Sequence, residues 1–212
     1  MQNRTSWFIL LSFLILCGSL MAAKVPRTEK EIMLFPGAAR DTASEKELLQ
    51  IEKEDPESIP KSRKSSLVRV YTTKTLINKV CQFYIDKLKA KAGAPIDDPA
   101  NLEPGEVFPP WYELDFYGPD IFKDQREGDV LIQDGKWIKS AFAKRPQWKK
   151  GAWLSQGYFE WNATQANGEM VKYSVLLEDM GFDSRKKIDF QSTRIRIQIE
   201  ISKSQEEMDD EE

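Results

Sequence analysis

The clearest pattern in the chain is a strict alternation of apolar and polar residues near its end, from Thr193 to Ile201. Isoleucine occupies positions 195, 197, 199 and 201, while arginine, glutamine and glutamate occupy the positions between them. A period of two predicts a strand with one buried face and one solvated face. Trp153 to Ala163 and Val171 to Leu177 are predicted to be two more strands of the same sheet.

The apolar faces of these last two segments also predict how they pair. A two-residue turn at 167–168 would place their apolar side chains on opposite faces of the sheet. A three-residue loop, 166–168, instead sets Trp161 opposite Tyr173 and leaves one face apolar and the other polar. Because a slip of one residue swaps every side chain between faces, we predict the three-residue loop, with Gly168 in the left-handed conformation.

A helical period appears earlier in the chain. Apolar residues at positions 76, 77, 80, 81, 84 and 88 form one stripe and predict an amphipathic helix over residues 74–92, with Thr73 or Thr75 as its cap and Gly93 as its stop. A capping box at Ser44 predicts a shorter helix to about residue 54. Together with a strand from Leu67 to Tyr71, these elements predict an α+β fold in which one amphipathic helix packs on one face of an antiparallel sheet.

The remaining segments complete the predicted organisation. Residues 24–66 are a lead-in and linker, and residues 67–203 are the α+β domain. Within that domain, 94–128 is rich in Pro, Gly, acids and aromatic residues and is predicted to be an irregular, packed insertion. Short strands at 129–132 and 136–139 are predicted around a turn at Asp134-Gly135. Residues 204–212 form an acidic tail that we expect to be disordered.

The beginning of the chain has the order of a secretory signal peptide. A positive charge at Arg4 precedes the apolar run Trp7–Cys17, and small residues follow it. We predict a signal peptide over residues 1–23, cleaved after Ala23, with cleavage after Ala22 as second choice and an uncleaved anchor as the alternative. Cys17 is a candidate for lipidation, because Leu14 and Gly18 match two positions of the bacterial lipoprotein motif. We expect the protein in the periplasm or on the outer surface of a bacterial cell.

The composition excludes several classes of chemistry. The chain has no histidine and only two cysteines, Cys17 and Cys81. Histidine-dependent catalytic triads, imidazole zinc sites and four-thiolate metal sites are therefore ruled out. The 31 basic residues against 34 acidic ones, a net charge of −3, do not suggest nucleic-acid binding. We predict no catalytic residues, no metal site and no cofactor.

Three short motifs carry a family resemblance. A Pro-Gly-Ala turn follows an apolar pair at 34–38, a strand ends in Tyr-x-Thr at 71–73, and a helix contains Val-x-x-Phe-Tyr at 80–84. Over about residues 33–90, and more loosely in the C-terminal strands, the chain resembles a group of small exported bacterial envelope proteins of poorly known function. The resemblance implies an extracytoplasmic module with a helix on a sheet. It brings no catalytic residues.

The aromatic residues outside the predicted apolar faces are the best candidates for binding. They include Trp111, Tyr112, Tyr117 and Trp137. Such residues form stacking surfaces for a glycan or a partner protein, and they also form small satellite cores under long loops. Both interpretations stay open at this point.

The sequence therefore predicts an exported, non-catalytic module of the bacterial envelope that binds an unknown macromolecule or small ligand. Contact with a membrane is expected only through a lipid on Cys17. One alternative is a hydrolase that uses carboxylates of the 94–128 region on an envelope glycan. Another is a carrier that holds an apolar ligand between helix and sheet.

Overall fold

The structure is a computed structural model, and it describes residues 25–94, 102–118, 121, 125–127, 130–132, 135–149 and 151–204. Several predictions fall outside these residues. They are the signal peptide with its cleavage after Ala23, the lipidation of Cys17, and residues 205–212 of the acidic tail. In the described part of the chain, no helix combines the length and the apolar character needed to cross a bilayer.

The described residues form a mixed α+β fold built on a seven-stranded sheet. From one edge to the other, its strands are β1 (Ala39–Arg40), β2 (Arg63–Thr73), β11 (Thr193–Ser202), β8 (Met170–Asp179), β7 (Leu154–Thr164), β4 (Val107–Phe116) and β3 (Lys91–Ala92). Neighbouring strands are antiparallel except β3 and β4, which are parallel.

Smaller elements surround this sheet. Two short hairpins pair β5 (Gln125–Glu127) with β6 (Val130–Ile132) and β9 (Phe182–Asp183) with β10 (Ile188–Asp189). Among the described residues, the α-helices are α1 (Thr42–Glu54), α2 (Ile77–Leu88) and α3 (Gly135–Phe142), and 3₁₀ turns lie at Glu29–Glu31 and Pro56–Ser58.

The predicted register of the β7–β8 hairpin is confirmed. Trp161 pairs with Tyr173 and Phe159 with Val175, and the two rings of the first pair stack with centroids 5.4 Å apart. Residues 166–168 form the loop, which is closed by a hydrogen bond of 2.8 Å between residues 165 and 169. Gly168 has a φ of 81°, the left-handed conformation that such a loop requires. We call this end of the sheet the hairpin end.

The apolar side chains of α2 share one core with the long strands. Val80, Cys81 and Tyr84 are buried in the same cluster as Phe159 and Ile195, and the rings of Tyr84 and Phe159 lie 5.8 Å apart. The sequence explains this shared core, because the stripe along the helix and the alternate positions of the strands are both apolar.

The ends of α2 differ from those predicted from the sequence. The helix spans twelve residues rather than the predicted 74–92. Leu76 is its N-cap, and neither predicted threonine caps it. The helix ends at Leu88, because the next residue, Lys89, takes a left-handed φ of 55° and stops it before the predicted Gly93. The apolar stripe located the helix, while the ends depended on local backbone conformations that the pattern does not contain.

The first described residues pack on the core rather than standing apart from it. We call residues 25–35 the N-terminal strap. Trp161 donates a hydrogen bond of 2.8 Å from its ring nitrogen to the carbonyl of Pro26, and the hydroxyl of Tyr173 donates to the carbonyl of Arg27. Ile32 is buried in the main core. Part of the predicted lead-in is therefore built into the folded unit.

The predicted linker and the predicted insertion both contain strand. β2 begins at Arg63 rather than at Leu67, so the polar residues before Leu67 belong to the sheet. In the segment predicted to be irregular, β4 covers residues 107–116. Its pairing with β7 shifts register between Phe108 and Trp111, where two prolines stand. Proline cannot donate to a strand ladder and marks a bulge, which is why the sequence pattern there did not suggest a strand.

The second hairpin predicted from the sequence is only half correct. Its first strand corresponds to β6, but residues 136–139 belong to α3. Ile138, Ala141 and Phe142 are buried at helical spacing. The turn residue Asp134 lies outside the described residues.

A carboxylate protects the exposed edge of β2. Asp41, rather than the predicted Ser44, caps α1 and accepts the N–H of Ser44 at 3.0 Å. One turn on, the carboxylate of Glu45 accepts the N–H of Val70 at 3.1 Å and two hydrogen bonds from Arg40 at 2.9 and 2.8 Å. The Arg40 guanidinium lowers the pKa of Glu45, and the Val70 N–H contributes. Glu45 thus satisfies a backbone group that would otherwise invite pairing with another chain.

We predict that Glu45→Gln lowers the free energy of unfolding at pH 7 by about 1.5 kcal/mol, because charge-assisted bonds to Arg40 and Val70 are weakened. The folded-state pKa is below the ordinary value of 4.5, so the stabilisation is fully present above about pH 4.5 and is lost as the pH falls below it. Urea unfolding of the wild type and of Glu45→Gln between pH 3 and 7 measures how this difference in the free energy of unfolding depends on pH. Glu47→Gln, on the exposed side of α1, is the control and should change little. Equal loss in both variants would contradict the role of Glu45.

Candidate functional site

A large cleft lined by described residues lies at the end of the sheet opposite the hairpin end, and we call it the end cleft. Its volume is about 1120 Å³. Five chain segments meet there, namely the Pro-Gly turn before β1, the connection from β2 to α2, the loop after α3, the residue after β8 and the approach to β11. The lining residues are Pro36, Gly37, Ala39, Thr72, Thr73, Lys74, Thr75, Leu76, Lys79, Pro146, Met180, Phe190, Gln191 and Ser192.

Local hydrogen bonds shape the walls of the end cleft. The Pro-Gly turn is closed by the N–H of Ala38, which donates to the carbonyl of Phe35 at 3.0 Å, and Gly37 takes the positive φ of 79° that this turn requires. In the β2–α2 connection, the N–H of Thr75 donates to the hydroxyl oxygen of Thr73 at 3.3 Å. The hydroxyl of Thr193 donates to the carbonyl of Thr75 at 2.8 Å, which ties the connection to the first residue of β11.

The end cleft is positively charged. Lys74 and Lys79 both line it, both are exposed, and neither makes an ion pair with a described residue. No lining residue carries a carboxylate. Hydroxyl and amide side chains supply further donors and acceptors, and Phe190, 49% exposed, offers an apolar ring. Such a lining can bind an anionic ligand and pack against its apolar parts.

One buried arginine holds two walls of the end cleft together. The guanidinium of Arg145 donates to Asp179 and forks onto both carboxylate oxygens of Asp189. Its side chain is 5% exposed and stacks 4.3 Å from the ring centre of Phe182. Arg145 directly precedes Pro146, and Asp189 directly precedes Phe190, so this single contact fixes two lining residues relative to each other.

A tyrosine completes this buried charge cluster. The hydroxyl of Tyr117 donates to Asp179 at 2.5 Å. Burial raises the pKa of Tyr117, and the negative charge of Asp179 raises it further, so the phenol stays protonated as the donor. Burial alone would lower the pKa of Arg145, but the hydrogen bonds and charges of Asp189 and Asp179 outweigh it and raise that pKa. The cluster is therefore an ion-paired structural network.

The structure does not bring the four candidate aromatic residues onto one surface. Trp111 and Tyr112 are consecutive in β4 and so face opposite sides of the sheet. Trp111 contacts Tyr158, with ring centres 5.7 Å apart, while Tyr112 packs against Phe159 in the main core.

The other two candidates belong to a separate cluster. Tyr117 and Trp137 both contact Phe182, at 6.4 and 5.7 Å between ring centres. Tyr117 also contacts Phe142, which is fully buried. These two residues form a satellite core behind the end cleft, which is one of the two interpretations that the sequence allowed.

Other candidate chemistry lies apart from the end cleft. Burial raises the pKa of Cys81 to about 12, which leaves it as an unreactive thiol in the core. Among the acids of the 94–128 segment, Glu113 and Asp115 are exposed on β4. Asp97, Asp98, Asp120 and Asp124 lie outside the described residues. Within the described ranges, no group of three or more acidic or cysteine side chains is placed to hold a metal ion.

Sequence reasoning missed the end cleft because its lining comes from segments far apart in the chain. One signal was available. Residues of the Pro-Gly-Ala turn and of the Tyr-x-Thr strand line the same cleft, whereas the helix motif at 80–84 lies in the main core.

Comparison with known proteins gives no match. No family model, no curated protein and no solved structure is similar to this chain. The resemblance to small exported envelope proteins therefore stays a prediction, and the function has to be argued from the end cleft.

We predict that Arg145→Met lowers the free energy of unfolding by about 3–5 kcal/mol, because Asp179 and Asp189 lose their partner while one of them stays buried. Arg145→Lys should fall between this variant and the wild type, since it keeps the charge but loses the fork. Urea denaturation followed by tryptophan fluorescence measures both.

The control is Arg185→Met, which removes an exposed arginine from the β9–β10 connection and should shift stability very little. If Arg145→Met were as stable as this control, the ion-paired network would not hold the cleft walls.

Proposed function

We propose that the protein is a non-catalytic binding module exported to the bacterial cell envelope, and that its ligand occupies the end cleft. The observation that carries this proposal is the end cleft itself. It combines about 1120 Å³ of space, two unpaired lysines and a half-exposed aromatic ring. Ligand sites are concave and combine apolar walls with a few polar groups, and the volume suits a ligand of several ring units.

The carboxylates nearest the end cleft, which lie outside the 94–128 region of the hydrolase alternative, are suited to a structural role. A glycoside hydrolase needs two carboxyl groups free to act as acid and base or nucleophile. Asp179 and Asp189 converge behind the end cleft, but both are held by Arg145, and Asp179 also accepts from Tyr117. Carboxylates held in this way are suited to fixing loops in place.

The contact between α2 and the sheet argues against the carrier alternative. Cys81 of the helix lies so near Gly157 of β7 that a methyl group on this glycine would sit 3.4 Å from the cysteine sulfur. Such close packing leaves little room there for an apolar ligand. We therefore assign α2 a structural role, as one amphipathic helix that packs on one face of the antiparallel sheet.

Export rests on the sequence pattern of the first residues, and the N-terminal strap is compatible with it. The strap begins only two residues after the proposed cleavage site, Ala23, and residue 26 already bonds to the core. A chain cleaved there would keep every described contact of the folded unit.

We predict that expression of the full chain in a bacterial host yields mature protein in the periplasmic or outer-membrane fraction, with an intact mass that begins at residue 24. Mass spectrometry of each fraction measures this directly. A mass that retains residues 17–23 with a lipid on Cys17 would support export in the lipidated form. Cytoplasmic protein that keeps residue 1 would contradict the proposal.

We predict that Ser192→Trp abolishes co-sedimentation of the purified mature protein with isolated bacterial cell envelopes, because the indole fills the end cleft. Ala166→Trp carries the same bulk at the hairpin end and should sediment like the wild type. Circular dichroism spectra check that both variants fold. Equal binding by both variants would place the ligand site elsewhere.

A further inference from the structure

The lining of the end cleft indicates the chemical class of its ligand. We propose that the end cleft binds an acidic saccharide, a sugar chain that bears carboxylate groups. This inference rests on the proposed function and names the ligand class of that same site.

The charges of the end cleft favour an anion. Lys74 follows the last residue of β2, and Lys79 lies in the first turn of α2, so the two lysines approach the cleft from different elements. Neither ammonium group is neutralised by a described residue, and the lining contains no acid. A carboxylate bound here accepts charge-assisted hydrogen bonds, which are the strongest that such a surface offers.

The neutral polar residues of the end cleft suit a sugar. Thr72, Thr75 and Ser192 bring hydroxyl groups, each of which donates one hydrogen bond and accepts others, and Gln191 brings an amide with the same dual character. Sugar hydroxyls also both donate and accept. A lining of this kind can therefore follow several neighbouring hydroxyls of one chain without leaving a polar group unpaired.

The exposed aromatic ring of the end cleft also favours a sugar. Phe190 directly follows Asp189, whose carboxylate is bound by Arg145, so its backbone is held in place. Its ring is nevertheless 49% exposed, which leaves an apolar surface in contact with water. The face of an aromatic ring carries partial negative charge and attracts the C–H groups of a sugar ring.

An extended acidic peptide fits the end cleft less well. A peptide that binds at a sheet edge gains most of its affinity by adding a strand. At this end of the sheet β1 already occupies the edge of β2, since Ala39 pairs with Thr72 and Arg40 with Tyr71. The edge strand that remains, β1, is only two residues long, so it offers a peptide little backbone to pair with.

Isothermal titration calorimetry of the mature chain with tetragalacturonate, neutral tetragalactose and tetraglutamate tests the ligand class. We expect binding of tetragalacturonate alone, weakened by added salt. The double variant Lys74→Met/Lys79→Met should lower that affinity about tenfold or more, because charge-assisted hydrogen bonds are lost. Lys87→Met removes an exposed lysine from the last turn of α2 and should leave the affinity unchanged.

A second pair of variants tests the aromatic contact. Phe190→Ala should weaken tetragalacturonate binding about fivefold through loss of the ring contact. Phe116→Ala removes a ring of similar exposure on β4 and should have no effect.

The outcomes separate the two proposals. Equal affinity for the neutral sugar would overturn the acidic character, and tighter binding of tetraglutamate would overturn the saccharide. If Ser192→Trp blocks envelope binding while no saccharide binds, the ligand class fails and the proposed function stands. If Ser192→Trp binds envelopes normally, the proposed function itself fails.

Discussion

The pairing register of β8 with its two neighbours is the constraint on which the rest of the fold depends. Val175 lies opposite Phe159 on one side and Ile197 on the other, so three strands place their apolar residues on the same face. A shift by a single position in either pairing would send Trp161 or the isoleucines to the polar face. Buried residues of α2 and of the N-terminal strap share one core cluster with these strands.

The sequence predicted those parts of the fold that follow from periodicity. The sequence pattern predicted β7, β8, β11 and the position of α2, because each of them has a regular apolar period. The loop at Gly168 followed from the register of the two strands that it joins. β4 was missed because its two prolines interrupt the pattern at a bulge. α3 was mistaken for a strand because Asp134-Gly135 is a strong hairpin signal, although Ile138, Ala141 and Phe142 have helical spacing.

The candidate site was harder to predict for a different physical reason. The end cleft is made by loops whose positions are set by tertiary contacts, above all by the fork of Arg145 onto Asp189. Those two residues are 44 positions apart, and no local pattern links them. The aromatic residues were found as a group, but their division between two faces of β4 and a satellite core follows only from the strand that carries them.

The path of the N-terminal strap determines where the chain enters the folded unit relative to the end cleft. Arg27 donates to the carbonyl of Gly105, whose own N–H donates to Thr164 beside the hairpin loop, and the strap then runs back to Pro36 at the end cleft. The chain thus enters the folded unit at the pole opposite the end cleft. A surface that held the protein by the residues preceding the strap would therefore approach the pole opposite the end cleft and leave the cleft uncovered.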